Sequence, residues 1–350
     1  MMRLNDIKNM TVGTMLVLTL AACGNDGPER AVDNDPDGVS IMFSSAAVSE
    51  IGRTRADASD TYNTTLPGGS DIGVFIYDCD DQPVKGAGSS DGDKIWVYQT
   101  VGTADATTLK SSLQLTSHYK NPQYPTMSGD PNTYKASVKV FAVFPCPASS
   151  VDLTTTLYTF SVALNQTVPA YIIASDLLAT DQKSYNQEYC QDNTLQLDLK
   201  HRMAKVLVTL MPKTGSDLTA ANIPEAFDVL NVVRSVTISP TAGTITTNTS
   251  ETKTSESSPL QGLTTQSFFL PPQSLTADTE LLKFNILASD NFKGINGATF
   301  KVPTGGVTFE AGKVYHINVT VDVDFVTMTG TITPWIPETI SYTEYTDSIL

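Results

Sequence analysis

The residues able to do covalent or acid–base work are few, and their spacing says more than their number. Leu20-Ala21-Ala22-Cys23 closes an apolar stretch that begins at Met10 and opens onto a polar tail. A short basic region (Arg3, Lys8), an apolar segment too short to cross a bilayer, and small residues before a cysteine read as an export signal cut at Cys23. His118, His201 and His316 stand at no metal-ligand or HExxH spacing. Neither a GxSxG elbow nor a P-loop occurs, and Gly86-Ala87-Gly88-Ser89-Ser90-Asp91 lacks the third glycine of a dinucleotide fingerprint. Asp33-Asn34-Asp35-Pro36-Asp37-Gly38 copies the opening of a calcium loop, but Ser44 stands where the bidentate Glu is needed, which leaves a solvated linker. Paired acids for glycoside hydrolysis cannot be told from surface charge. The expectation is a protein that is not an enzyme and carries no cofactor or metal.

Composition narrows the partners. The chain has 350 residues, 40% of them hydrophobic, and a formal charge of −15. That is enough apolar material for a packed core and length enough for two domains. Clustered Lys and Arg, which a nucleic-acid surface needs to displace counterions, are missing, so nucleic acid is not an expected partner. With Cys23 assigned to the export signal, Cys79, Cys146 and Cys190 remain. They permit at most one internal bridge, and sequence does not choose the pair; without a CxxC, zinc is not expected.

The elements that must position these residues are strands. Val39, Ile41 and Phe43 share one face, with Ser40 and Ser44 on the other. Further strands are expected at Ile72–Tyr77, Ile95–Tyr98, Val138–Phe144 and Tyr158–Leu164, then at Leu195–Leu199, Lys205–Leu210, Leu282–Ile286 and Tyr315–Phe325. In Tyr158–Leu164 the residues Phe160, Val162 and Leu164 form the apolar side. Short helical patterns lie near Ser175–Ala179 and Ala220–Val232, and Thr241–Gly262 reads as a hairpin with a long exposed connection. One wet and one buried face per strand argues for antiparallel sheets packed as sandwiches. The organisation expected is a signal peptide over 1–22, a polar tether over 23–38, one β-sandwich over 39–193 and a second over 194–350, with the break in Gln187–Thr194.

Two resemblances bear on function. Leu20–Cys23 resembles the lipobox of bacterial lipoproteins, which implies a lipid on Cys23 and attachment to the outer membrane. The order of segments across the chain is similar to that of the fimbrillins, pilins of type V pili. After the lipobox come the alternating strand Val39–Val48, Thr54-Arg55-Ala56, and Asp71-Ile72-Gly73-Val74-Phe75-Ile76-Tyr77. There follow Lys139–Pro145, Asp176–Thr180, Leu199–Val206, Phe309–Tyr315 and Ile332-Thr333-Pro334-Trp335. The resemblance implies two transthyretin-like β-sandwiches in tandem and a role as structural or adhesive subunit of a surface fimbrium. It implies an arginine-specific protease cutting after Arg55, or after Arg53, with loss of the first strand and its apolar residues Val39, Ile41 and Phe43. Other pilin subunits are the implied partners, the C-terminal segment of a neighbour filling the vacated groove. Here that donor would carry Ile340 and Tyr342, although Glu344 interrupts its apolar side. The rival reading is a glycan-binding or host-protein-binding surface lipoprotein that does not polymerise. It would use exposed aromatics such as Tyr62, Tyr119 and Tyr124, whereas Trp96 is expected in the core and Trp335 at a strand end.

Overall fold

The period-two runs fold as strands because alternating side chains bury one face of a pleated segment and wet the other. The computed structural model describes residues 40–48, 65–86, 92–105, 110–118, 121–124, 137–186, 194–289, 292–322 and 329–334. From Gly38 onward the chain forms one compact unit. Its first nine strands are β1 (Met42–Val48), β2 (Asp71–Asp78), β3 (Trp96–Val101), β4 (Lys110–Leu115), β5 (Ser137–Phe144), β6 (Tyr158–Ser161), β7 (Leu178–Ala179), β8 (Lys183–Asn186) and β9 (Thr194–His201). All but β6 form one sheet in the order β2-β3-β4-β1-β9-β7-β5-β8. Because β2 also pairs with β5, the strands from β2 round to β5 close into a hydrogen-bonded ring, and β8 shares the β5 edge beyond β7. Trp96 and Tyr98, opposite Val74 and Ile72, lie on the inner face, where Tyr98 meets Phe43. Phe75 and Phe141, opposite each other, lie on the outer face, where Phe75 stacks on Tyr158. These four aromatics are each 1% exposed or less.

The next six strands are β10 (Ala204–Pro212), β11 (Ala226–Val229), β12 (Ser235–Ser239), β13 (Thr244–Thr247), β14 (Leu260–Leu263) and β15 (Phe268–Leu270). Then follow β16 (Gln273–Leu275), β17 (Glu280–Ile286), β18 (Ile295–Lys301), β19 (Val307–Phe309), β20 (Val314–Val321) and β21 (Thr329–Pro334). They make sheets ordered β15-β10-β20-β21, β14-β11-β17-β18, β13-β12-β6 and β16-β19.

Three expectations are corrected. The sheets are not purely antiparallel: β1 runs parallel to β9, and β10 parallel to β20. Apolar alternation reports which face of a strand is buried and carries no information on the direction of its neighbour. The helix lies at Pro169–Ser175, ahead of the expected place, because Pro169 opens the first turn with its φ preset, and Leu178-Ala179 pairs instead as β7. Over Ala220–Val232 only the 3-10 turn Ala220–Asn222 forms, under a Thr219/Asn222 capping box, before Pro224 ends it and β11 begins.

The third correction concerns Tyr158–Leu164. Its strand pairs with β12, Tyr158 opposite Ile238, and Leu164 lies exposed rather than on a common buried face. Residues 158–166 therefore belong to sheets built from the second half of the chain. Gln166, fully buried, holds them there: its amide accepts from Phe269 N–H (2.8 Å) and donates to Phe269 C=O (3.0 Å), as a neighbouring strand would. Arg234 Nη1 donates to Val162 C=O at 2.8 Å, and Gln182 Nε2 to Thr241 C=O at 2.6 Å.

Candidate functional site

β1 is the element whose position is most unusual for a first strand, since it sits inside the ring and not at an edge. On one side Ser45, Ala46 and Ala47 pair antiparallel with Ser112, Ser111 and Lys110 of β4. On the other, Met42 through Val48 pair parallel with Thr194 through Leu199 of β9. Just before the strand, Ile41 N–H donates to Pro122 C=O at 2.6 Å. Ile41 and Phe43 point into the core, 1% and 3% exposed, and the Phe43 ring meets Tyr98 edge-on with centroids 5.3 Å apart.

The alternation then changes phase, and Ala46 and Val48 are the next buried residues. A register shift between Phe43 and Ser45 accounts for this: an extra residue in the strand moves the inward set from odd to even positions. Small, polar Ser44 and Ser45 suit the bulge. The inward-facing set is thus Ile41, Phe43, Ala46 and Val48, large at one end of the slot and small at the other. Burying Ile41, Phe43 and Val48 is worth about 5–9 kcal/mol, comparable with the whole stability of an ordinary domain.

At the small end lies a cavity of about 380 Å³. Val48 forms part of its wall, as do Thr65 and Leu66, where the described chain resumes after residues 49–64. Ile172 and Ile173 of the short helix, and Leu207 and Phe269 of β10 and β15, supply further apolar wall. Polar groups line it as well. Asp176 Oδ1 lies 2.9 Å from His201 Nδ1, and Lys205, 5% exposed, also lines the cavity. Gln266 also lines the cavity, and its buried Oε1 has no hydrogen-bond partner.

Beyond β9 the chain is pinned electrostatically. A hydrogen bond from Lys200 and a second from Arg202 hold the Asp181 carboxyl below the usual carboxylate range. Arg202 also donates to Thr180 C=O at 2.9 Å. The other arginine among the described residues, Arg234, is tied to Val162 C=O and faces Glu251.

Of the residues singled out from sequence, Ile41 and Phe43 lie together in the slot. Val39, Cys23, Arg53, Arg55, Ile340, Tyr342, Cys190, Tyr62, Tyr119 and Trp335 lie outside the described residues. Cys79 is exposed and Cys146 half-buried, and both are free thiols, so those two do not form the bridge left open by the sequence. Burial pushes the Cys146 thiol up to about 11, with Asp71 adding to the effect. Trp96 is buried and stacks on His118 with centroids 3.9 Å apart. Tyr124 is only 4% exposed, which removes it from any sugar platform. Among the described residues no cluster of His, Cys, Asp or Glu could hold a metal, and no helix is long and apolar enough to cross a membrane. The bulge, the cavity and the Gln166 bridge were not anticipated. Of these, only the paired serines at 44 and 45 left a sign in the sequence.

Residues 84–335 match the fimbrillin-like family. No curated protein matches the sequence. A candidate cell adhesion protein from Bacteroides uniformis has a similar fold (TM-score 0.54, 16% identity), with 85% of this chain and 98% of that one covered. Another from Bacteroides ovatus gives a TM-score of 0.53 at 15% identity, over 86% of this chain and 99% of that one.

Proposed function

Since this chain belongs to the fimbrillin-like family, a class of surface pilin and adhesion proteins without enzymatic activity, we propose that it is a fimbrial subunit assembled by exchange of β1. The observation that carries the proposal is the place of β1 in the closed ring. A closed sheet has no edges to pair with other chains. Taking β1 out leaves β4 and β9 about 9.5 Å apart, twice the ordinary strand spacing, with unpaired N–H and C=O groups facing each other across a floor of core side chains. Such a slot fits one added strand and favours β-augmentation from another subunit.

The rest of the scheme follows the sequence. The chain is exported as a lipoprotein precursor, held at the outer membrane through lipid on Cys23, with β1 as its own plug. An arginine-specific protease cuts after Arg55 or Arg53, in the stretch that follows β1. The chain has six arginines, at positions 3, 30, 53, 55, 202 and 234. Arg202 and Arg234 are half-buried and hydrogen-bonded in the fold, which supports selective cutting ahead of residue 56. A neighbour's tail, with Ile340 and Tyr342, then supplies the replacement strand. The two transthyretin-like halves, 39–193 and 194–350, would act as one rigid link in the filament, joined by β6, Gln166 and Arg234. A host glycan or protein ligand would be an added property of such a fimbrium.

The test is to treat purified precursor with an arginine-specific protease and follow it by SDS gel without boiling. The proposal expects a ladder of SDS-resistant oligomers that an R53Q/R55Q variant does not form. Monomer alone from fully cut wild-type protein would refute it.

A further inference from the structure

We infer that Asn296-Gly297 is a site of spontaneous deamidation in this chain, and that the side chain of Asn285 holds the reaction in check. Asn296 is followed by glycine, the one Asn-Gly step in the sequence. The fold demands that glycine. Between β17 and β18 the pairs Phe284–Ala298 and Ile286–Ile295 leave Asn285 alone opposite two residues, Asn296 and Gly297. This bulge puts Gly297 at φ +74°, a left-handed conformation that a side chain would strain. A Cβ there would also press on the Lys283 side chain at 3.1 Å. Asn296 itself is exposed, on the edge strand of its sheet.

The same glycine is the source of the chemical weakness. With no side chain to hinder it, the Gly297 nitrogen can lose its proton and attack the side-chain carbonyl carbon of Asn296. The new C–N bond closes a succinimide ring, and the amide nitrogen of Asn296 leaves as ammonia. Water then opens the ring: breaking the new bond leaves aspartate, and breaking the old peptide bond leaves isoaspartate. Isoaspartate would carry the backbone of β18 through an extra carbon and disturb its pairing with β17. Against this, Gly297 N–H donates to Asn285 Oδ1 at 2.8 Å. That bond stabilises the protonated, unreactive form of the nitrogen and fixes its peptide plane within the bulge. Lys283, the cation beside Gly297, would favour loss of the proton, but Glu256 lies 2.7 Å from its ammonium and offsets its charge. Asn285 is exposed, so its amide serves this bond without taking part in the core.

The test incubates the full chain at mildly alkaline pH and weighs the tryptic peptide 294–301, which lies between Lys293 and Lys301 and has Asn296 as its only amide side chain. Deamidation is read as the mass gained when the side-chain NH2 becomes OH. Folded wild-type protein should convert far more slowly than the same chain unfolded in urea. N285A should speed the folded protein by about five- to tenfold, what one net hydrogen bond is worth, while N285D, which keeps an acceptor oxygen, stays slow. Equal rates in folded and unfolded wild-type protein would overturn the inference, and so would an N285A rate no faster than the wild type. N285A should melt together with the wild type. If it melts lower, N285D and N285L are compared at equal distances below their own melting temperatures, and equal rates there would also overturn the restraint by Asn285.

Discussion

Replacing Phe43 with alanine probes whether β1 is a separable part of the ring. The ring of Phe43 is almost wholly buried and packs edge-on against Tyr98. Truncating a buried Phe costs about 3–5 kcal/mol, cavity included, of which the aromatic contact accounts for about 0.5–1.5 kcal/mol. A matched control is Phe141→Ala, since Phe141 is equally buried, faces Phe75 and sits on β5. Both variants should lose similar global stability in denaturant. They should differ in native-state hydrogen exchange. If β1 can leave while the other strands hold, F43A speeds exchange at 42–48 and along the facing edge of β9 by about two to three orders of magnitude, ahead of the β2–β5 ladder. F141A should speed all of these together. Uniform acceleration across the ring in F43A would refute the separability of β1.

Other predictions are smaller in scope. Gln166→Leu leaves the N–H and C=O of Phe269 buried and unpaired, and should cost about 2–5 kcal/mol in thermal or denaturant unfolding. Asp181 is depressed in the folded state by Lys200 and Arg202, so its contribution is complete above the unfolded carboxylate range and is lost as pH falls through the lower folded value. Because that side chain is half exposed, D181N should cost under about 1 kcal/mol near neutral pH and nothing in strong acid, as read from denaturation midpoints. With its thiol raised to about 11 and half-buried, Cys146 should resist iodoacetamide at pH 8 while exposed Cys79 reacts, a difference that denaturation abolishes.

How much of this was legible in the sequence depends on range. Strands announced themselves wherever one face was wet, as at Leu195, Leu197 and Leu199, all buried, against Gln196 and Asp198. The inward direction of Ile41 and Phe43 was likewise readable. Parallel pairing of β1 with β9 was not, since it joins residues about 150 positions apart and alternation is blind to strand direction. The departure of β6 to the second half was hidden because Phe160 and Val162 look the same whichever sheet covers them. The helix begins at Pro169, whose φ is preset for the first turn, while the apolar residues after it carry no local mark of where that turn starts. The cavity has no local signature: it arises where Val48, the short helix, β10 and β15 fail to fill the space between them.

The central claim is that β1 closes the ring in the precursor and is absent from the assembled subunit. Intact-mass analysis of SDS-resistant oligomers tests it most directly. Subunits beginning at Ala56, or at Thr54, and lacking residues 40–48 are the predicted result. Oligomers whose subunits retain residues 40–48 would contradict the account.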